Sequence, residues 1–187
     1  MKQLQLISFL VLLLTNCLPL LAQKNNSISK YEVKDNTGKT ITILSDTKGT
    51  LDEKSYDNLI SQLNEISSSK IDKSKNIIIN YIDDNPRINN KNYQVPWDIF
   101  NRNLSSKSNK TKQCSHFWVI NKKVTNLYYY HGNKINWLKD QNSIIKKIFF
   151  NYESLNGGFV IIKPNKEYYL KNGEYSKKEL LSVYKDF

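Results

Sequence analysis

The sequence predicts an α/β domain with a mixed central sheet, and three observations support this fold class. Two apolar runs, Asn76–Ile82 and Cys114–Asn121, have the length and the β-branched or aromatic content of buried strands. A third apolar run, Phe159–Lys163, is followed by a turn and a returning strand. Apolar residues between and after these runs recur at the spacing of one helical face. Strands that alternate with helices in this way are typical of α/β sheets.

Residues 1–22 have the pattern of a secretory signal peptide. Lys2 gives a basic start, residues 6–14 form an apolar core, and Ala22 precedes the expected cleavage site. The apolar run is too short and too interrupted to span a bilayer as a helix. We therefore expect a bacterial protein that is exported to the periplasm or the medium and begins at Gln23.

A lipoprotein signal is the alternative interpretation of the same segment. Leu14-Thr15-Asn16-Cys17 resembles a lipobox, which would anchor the chain through Cys17. Asn16 is unusual where a small residue normally stands, and apolar residues follow the cysteine. Simple cleavage is therefore the favoured prediction.

The rest of the chain divides into a leader and one domain. Residues 23–30 are polar and are expected to be a disordered leader. Residues 31–187 are enough for one domain with its own hydrophobic core, and no repeat or interdomain linker interrupts them. The core of the predicted domain comprises residues 76–187.

The first elements of the domain are predicted to be a hairpin and a helix. Tyr31–Asp35 and Lys39–Ser45 are β-prone runs, and the intervening Asn36-Thr37-Gly38 has turn chemistry. A capping box at residues 50–53, with Thr50 as the cap, begins the helix. Its apolar face comprises Tyr56, Leu59, Ile60, Leu63 and Ile66.

The middle of the chain is predicted to hold two helices and an edge strand. A short helix begins at Val95-Pro96-Trp97 and ends near Leu104, because proline is tolerated in the first turn. Leu127–Tyr130 is predicted to be a short edge strand. Asp140 is predicted to cap a helix whose apolar residues are Ile144, Ile145, Ile148, Phe149 and Tyr152.

The chain is predicted to end in a hairpin and a closing helix. Pro164-Asn165 suits the central positions of a type I turn, and Glu167–Lys171 returns as the second strand. Ser176 and Glu179 form a capping box. The apolar stripe of the last helix consists of Leu180, Leu181, Val183, Tyr184 and Phe187. A hairpin and one helix cannot bury themselves, so we expect the first two apolar runs to be the central strands beside this hairpin.

The predicted order from Asn76 is strand, helix, strand, helix, strand, strand, helix, which resembles that of a thioredoxin-like fold. NYIDDNPR, from Asn80, resembles the start of a poorly characterised thioredoxin-like family that lacks catalytic cysteines. GGFVIIKPNKEYYLKNGEYSKKELL, from Gly157, resembles the closing hairpin and helix of that family. The leading hairpin resembles extra N-terminal strands of exported thiol-oxidoreductase and peroxiredoxin relatives. The resemblance implies a three-layer sandwich with an N-terminal extension of hairpin and helix.

Two departures from the redox members of that fold affect the expected function. Residues 83–86 (DDNP) stand where a redox thioredoxin carries C-x-x-C. Asn156-Gly157-Gly158 stands where such a protein carries a cis-proline. The resemblance therefore implies a redox-inert member, and fold alone does not transfer function.

Asp83 and Asp84 are the first candidate binding residues. They follow a predicted central strand, and open α/β sheets bind ligands beyond the carboxyl ends of their strands. Adjacent carboxylates can hold a divalent cation or perform acid–base chemistry. The favoured alternative is a polar turn whose side chains accept bonds from local amides.

Cys114 and His116 are the candidates for a thiol-dependent enzyme. After signal cleavage Cys114 is the only cysteine, which excludes an intramolecular disulfide and dithiol chemistry. Thr111-Lys112-Gln113-Cys114 resembles the Thr-x-x-Cys of peroxiredoxins, although here the cysteine begins a strand and not a helix. His116 and His131 could form a zinc site with Cys114 or an aspartate, but the sequence does not identify the third and fourth ligands that zinc requires. We therefore expect no metal and no cofactor.

The aromatic residues and the charge suggest what kind of partner the protein binds. The chain has 12 Tyr, 7 Phe and 3 Trp, and Tyr128, Tyr130 and Trp137 are the candidates for an aromatic binding face. The alternative is core packing of the alternate residues of a strand. The net charge is +11, but lysine supplies it almost alone, with Arg87 and Arg102 as the only arginines. Arginine is the residue preferred for direct base recognition, so a nucleic-acid partner is disfavoured.

These observations predict an exported binding or envelope-associated module with a protein or glycan partner, and not an enzyme. The enzymatic alternative is a single-cysteine thiol peroxidase, or a related thiol-dependent enzyme, that uses Cys114 with His116. Rapid alkylation of the thiol at mildly acidic pH distinguishes the two hypotheses, because only the enzyme requires a thiolate there.

Overall fold

The computed structural model describes residues 30–34, 37–84, 114–127, 135–152 and 157–187. These residues form a mixed α/β fold with eight strands and three helices: β1 (Lys30–Lys34), β2 (Thr40–Leu44), β3 (Asp46–Thr50), α1 (Glu53–Ser67), β4 (Asn76–Ile82), β5 (Cys114–Asn121), β6 (Leu138–Asp140), α2 (Ile144–Phe149), β7 (Gly157–Ile162), β8 (Glu167–Asn172) and α3 (Lys177–Asp186). β1 and β2 pair with each other, and the other six strands form one mixed sheet of order β3-β8-β7-β4-β5-β6.

The two longest apolar runs lie at the centre of the sheet, as predicted. β4 runs parallel to β5, with Asn76 opposite Cys114, and antiparallel to β7, with Ile79 opposite Val160. β6 extends the parallel part beyond β5, and β8 extends the antiparallel part beyond β7. Every residue of β7 is buried, as expected for a strand covered on both faces.

Alternate residues of β4 enter two different hydrophobic cores. Ile77, Ile79 and Tyr81 face α1 and α2 and pack in the larger core. Ile78 faces the opposite side, where Leu180 of α3 closes the smaller core. Successive side chains of a strand point to opposite faces of the sheet, so the apolar run of β4 contributes to the cores on both faces.

Side-chain caps determine where two of the helices begin. Ser176 accepts a 3.1 Å hydrogen bond from the amide of Glu179, so the cap predicted at Ser176 is confirmed. The Glu179 carboxylate, expected to reach back and complete a capping box, pairs with Lys171 Nζ at 2.7 Å. The first helix differs from its prediction, because Asp52 and not Thr50 is the cap, accepting from the amide of Ser55 at 2.9 Å. Thr50 is unable to cap that helix, since it is the last residue of β3.

Two strands of the described sheet differ from their predictions. Asp46–Thr50 was assigned to no strand from the sequence, but it forms β3 and pairs with β8. Leu138–Asp140, which was not predicted to be a strand, pairs with β5 as β6. Leu127 lies in no strand, and residues 128–130 lie outside the described ranges, as does the helix predicted from Val95 to Leu104.

Candidate functional site

A polar cluster lies where the three parallel strands end. Asp83 follows β4 directly, and Asn121 and Asp140 are the last residues of β5 and β6. The register places Ile82 beside Ile120, and Asn121 beside Asp140, so the three ends lie level. Lys146 of α2 reaches the same point. We call these four residues the carboxyl-end cluster.

Asp83 is the centre of this cluster. Its carboxylate accepts hydrogen bonds from Lys146 Nζ at 2.9 and 3.0 Å and from Asn121 Nδ2 at 2.8 Å. Asp83 is 0% exposed, and the Lys146 side chain is 17% exposed. The amide oxygen of Asn121 accepts from the backbone N–H of Lys123 at 3.0 Å. A buried carboxylate is therefore paired with a cation and held by a second donor, as burial of a charge requires.

Asp140 positions the helix that supplies Lys146. Its carboxylate accepts from the backbone N–H groups of Ile144 and Lys146, each at 2.9 Å, and so satisfies free donors of the first turn of α2. The predicted capping role of Asp140 is thus confirmed, although Ser143 and not Asp140 immediately precedes the helix. Tyr152, predicted to extend the apolar face of this helix, follows its end.

Tyr81 borders the cluster and limits its contact with water. Its ring stacks on Phe150 with centroids 4.6 Å apart, and its hydroxyl lies 3.5 Å from a carboxylate oxygen of Asp140. Burial raises the pKa of Tyr81 well above its usual range, and the carboxylates of Asp140 and Asp83 raise it further. Tyr81 therefore stays a neutral phenol that contributes an aromatic wall and one donor.

The two predicted acidic residues have different surroundings. Asp83 is fully buried, whereas Asp84 is partly exposed. Within the described ranges, no group of three or more His, Cys, Asp or Glu side chains has an arrangement that could hold a metal ion. His131, proposed as one zinc ligand, lies outside those ranges.

Cys114 lies at the other end of the sheet from Asp83. It begins β5 opposite Asn76, so the length of a seven-residue strand, about 20 Å, separates the two sites. The thiol is half-buried, and burial raises its pKa, although a hydrogen bond with Tyr184 opposes the shift. Cys114 is thus a protonated thiol near neutral pH.

His116 belongs to a hydrogen-bonded chain on the α3 face of the sheet. Tyr175 donates to Asn80 Oδ1 at 2.5 Å, and the Asn80 amide donates to His116 Nε2. The imidazole also packs against Trp118, with ring centroids 5.1 Å apart. Burial lowers the pKa of His116 to about 4, so the ring is neutral and Nε2 serves as an acceptor.

This environment predicts a specific loss of stability in acid. In unfolded chains a histidine takes up its proton near pH 6.5, but folded His116 does so only near pH 4. The unfolded state therefore binds more protons between these values, and the free energy of unfolding falls as pH falls through that window. We expect the stability advantage of the wild type over His116→Gln to shrink by about 2–3 kcal/mol between pH 7 and pH 4.5.

Urea titrations of both proteins at the two pH values measure this difference. Subtracting the free energy of unfolding of the variant from that of the wild type removes the contribution of the carboxylates, because they titrate in both proteins. A stability advantage that stays constant between pH 7 and pH 4.5 contradicts a His116 that is neutral in the folded protein.

The predicted aromatic face is described only in part. Trp137 meets Trp118 edge to face at 5.6 Å, and both rings are half-buried against the smaller core. Tyr128 and Tyr130 lie outside the described residues. Trp137 therefore contributes to packing and still presents part of its surface to solvent.

Asn121 and Lys146 were not predicted from the sequence to be site residues. Asn121 ends an apolar strand, and that position at a parallel sheet edge is a usable signal. Lys146 had no comparable signal, because it is one lysine among many and lies 63 residues from Asp83.

Comparison with protein-family models, with curated proteins and with solved structures finds no match to this chain. In the part of the chain that the structure describes, no helix is both long enough and apolar enough to cross a membrane.

Proposed function

We propose that this chain is an exported, thioredoxin-like domain that performs no redox chemistry and acts as a binding module in the cell envelope. The sheet supports the fold assignment. The parallel strands β4 and β5 lie beside the antiparallel hairpin of β7 and β8, and α3 follows, as a thioredoxin-like core requires. Export rests on the signal pattern of residues 1–22.

One observation carries the redox-inert assignment, namely the opposite placement of Asp83 and Cys114. A thioredoxin-like enzyme would have its reactive cysteines after β4, where this chain has a buried carboxylate paired with Lys146. Cys114 stands at the far end of the sheet, where burial favours the thiol over the thiolate. Thiolate chemistry needs the opposite kind of environment.

The enzymatic alternative requires His116 to activate Cys114. His116 Nε2 already accepts the amide of Asn80, and the hydrogen-bond partner of the Cys114 thiol is Tyr184. A general base must reach the proton that it removes. These contacts favour structural roles for both residues.

For the binding role, the half-buried pair of Trp118 and Trp137 offers the best-supported contact surface. Tryptophan combines a large apolar face with one N–H donor, a combination common where proteins contact other proteins or sugars. A protein or a glycan of the envelope is therefore the proposed partner.

Alkylation of Cys114 tests the redox-inert assignment. We expect iodoacetamide to label the folded protein, from Gln23 onward, slowly at pH 6–8 and at least tenfold faster in denaturant, because burial raises the thiol pKa and limits access. In that chain Cys114 is the only cysteine, so mass spectrometry reports one site.

Glutathione labelled in the same buffers supplies the reference rate for an unperturbed thiol. Tyr184→Phe is the matched variant, since it removes the hydroxyl bonded to the thiol and leaves the ring. If iodoacetamide labels Cys114 of the folded protein faster than it labels glutathione at pH 6, the result supports the peroxidase alternative and contradicts the redox-inert assignment.

A further inference from the structure

An amine, a carboxamide and a carboxylate converge in the carboxyl-end cluster. Lys146 Nζ lies 2.9 Å from Asp83 Oδ1, and Asn121 Nδ2 lies 2.8 Å from the same oxygen. Lys146 is thus a nucleophile, and Asn121 is an acyl group whose Nδ2 can depart. Both side chains donate to the same proton acceptor, Asp83. Asp83 and Asn121 are buried, at 0% and 4% exposure, so little water competes for the acyl group.

We propose that Lys146 and Asn121 become joined by an amide bond between their side chains, with Asp83 transferring the protons. The product is a covalent cross-link between the end of β5 and helix α2. The cross-link belongs to the maturation of the fold and is independent of the proposed binding function.

The reaction needs no oxidant, reductant or added reactant. Asp83 accepts one proton from the Lys146 ammonium, and the freed lone pair attacks Asn121 Cγ while the carbonyl electrons move onto Oδ1. The new C–N bond forms, the Cγ–Nδ2 bond breaks, and Asp83 delivers a proton to Nδ2. The attacking nitrogen gives up a second proton and keeps one, so the departing nitrogen leaves as ammonium and Asp83 is again ionised.

Two contacts assist individual steps of this reaction. The backbone N–H of Lys123 donates to Asn121 Oδ1 at 3.0 Å, which stabilises the negative charge that develops on that oxygen during attack. The Asn121 Nδ2–Asp83 bond places the leaving nitrogen on the group that protonates it. The asparagine amide is thus held at both of its ends in the orientation that the reaction uses.

The fold also fixes the backbone that carries the nucleophile. Asp140 accepts the backbone N–H of Lys146 and so fixes the start of α2 above the strand ends. The Tyr81 hydroxyl lies 3.5 Å from the Asp140 carboxylate, and the Tyr81 ring is buried and stacked on the buried ring of Phe150, so this neighbour of the cluster is apolar and dry. Held groups of this kind can react with effective molarities of about 10⁵ M or more, which permits amide exchange without an external enzyme.

Peptide mapping of the mature protein tests the proposal. Trypsin should release residues 113–122 and 140–147 as one branched peptide, since a Lys146 amide resists cleavage, and its mass should be lower than the sum of the two peptides by one ammonia. Intact mass alone is insufficient, because Gln23 at the N-terminus can also lose ammonia on cyclisation.

Three variants provide the controls. Lys146→Arg and Asp83→Ala should give only unbranched peptides, whereas Lys147→Arg, on the exposed side of the same helix, should retain the branched product. Folded wild-type protein that yields only unbranched peptides after days at neutral pH overturns the proposal. A branch that joins Lys146 to Asp83 with loss of water overturns it equally, because the acyl group is then a different one.

Discussion

Replacing Asp83 with alanine is expected to lower the free energy of unfolding by about 3–5 kcal/mol relative to wild-type protein in which Lys146 and Asn121 are not yet cross-linked, because the change leaves a largely buried ammonium and a buried amide without their acceptor. Lys146 and Asn121 both donate to this carboxylate, and water reaches the site poorly. Urea denaturation followed by circular dichroism at pH 7 measures the loss.

Two comparisons show whether burial is the cause. Asp57→Ala breaks the exposed pair with Lys73, whose side chains are 55% and 56% exposed, and should cost no more than about 0.5 kcal/mol. Combining Asp83→Ala with Lys146→Met should cost less than the two single losses added together, since neither charge is then left alone. A loss for Asp83→Ala as small as that for Asp57→Ala contradicts the buried ion pair.

Gly158→Ala is expected to destabilise the protein by roughly 3 kcal/mol, because the sheet has no space for a side chain there. A Cβ at Gly158 would lie 1.9 Å from the carbonyl oxygen of Lys171, and one at Gly157 would lie 2.0 Å from that of Tyr81. These obstacles are backbone atoms of the neighbouring strands, which cannot move aside without breaking strand pairing. Thermal and urea unfolding both report the effect.

Gly38→Ala is the matched control for this prediction. Gly38 also has a positive φ, of 83°, but a Cβ there meets nothing within 4 Å. Gly38→Ala should therefore lower the free energy of unfolding only by the conformational penalty of about 1 kcal/mol. Equal losses of stability for Gly38→Ala and Gly158→Ala would show that backbone conformation, and not the close approach of the neighbouring strands, limits substitution at Gly158.

The central strands could be predicted from the sequence because each combines a continuous apolar run with polar residues at its ends. β4 and β7 have this pattern, and the closing hairpin adds a recognisable turn at Pro164-Asn165. β3 could not be predicted in the same way. Its sequence, DTKGT, has no apolar run, and pairing with β8 determines its conformation.

The carboxyl-end cluster could be predicted only in part. Asp83 was identifiable because it follows a central strand, but its role depends on Lys146, which the chain brings near only through β6 and α2. His116 shows the same limit. Its sequence position suggests proximity to Cys114, whereas the register brings the side chain to Asn80 on the neighbouring strand. Long-range register, which local patterns do not encode, assigns these partners.

The order of strands in the sheet has a consequence for when the protein can fold. β3 lies early in the chain but pairs with β8, and Lys171 of β8 joins Asp46 of β3 to Glu179 of the last helix. The pairing of Asp46 with Lys171 spans 125 residues. Closing so long a segment is slow compared with forming local contacts, and it requires the C-terminal region to be synthesised first. Under the proposed export such a delay is an advantage, because the sheet cannot be completed while the chain is still emerging and the chain stays unfolded for passage through a membrane.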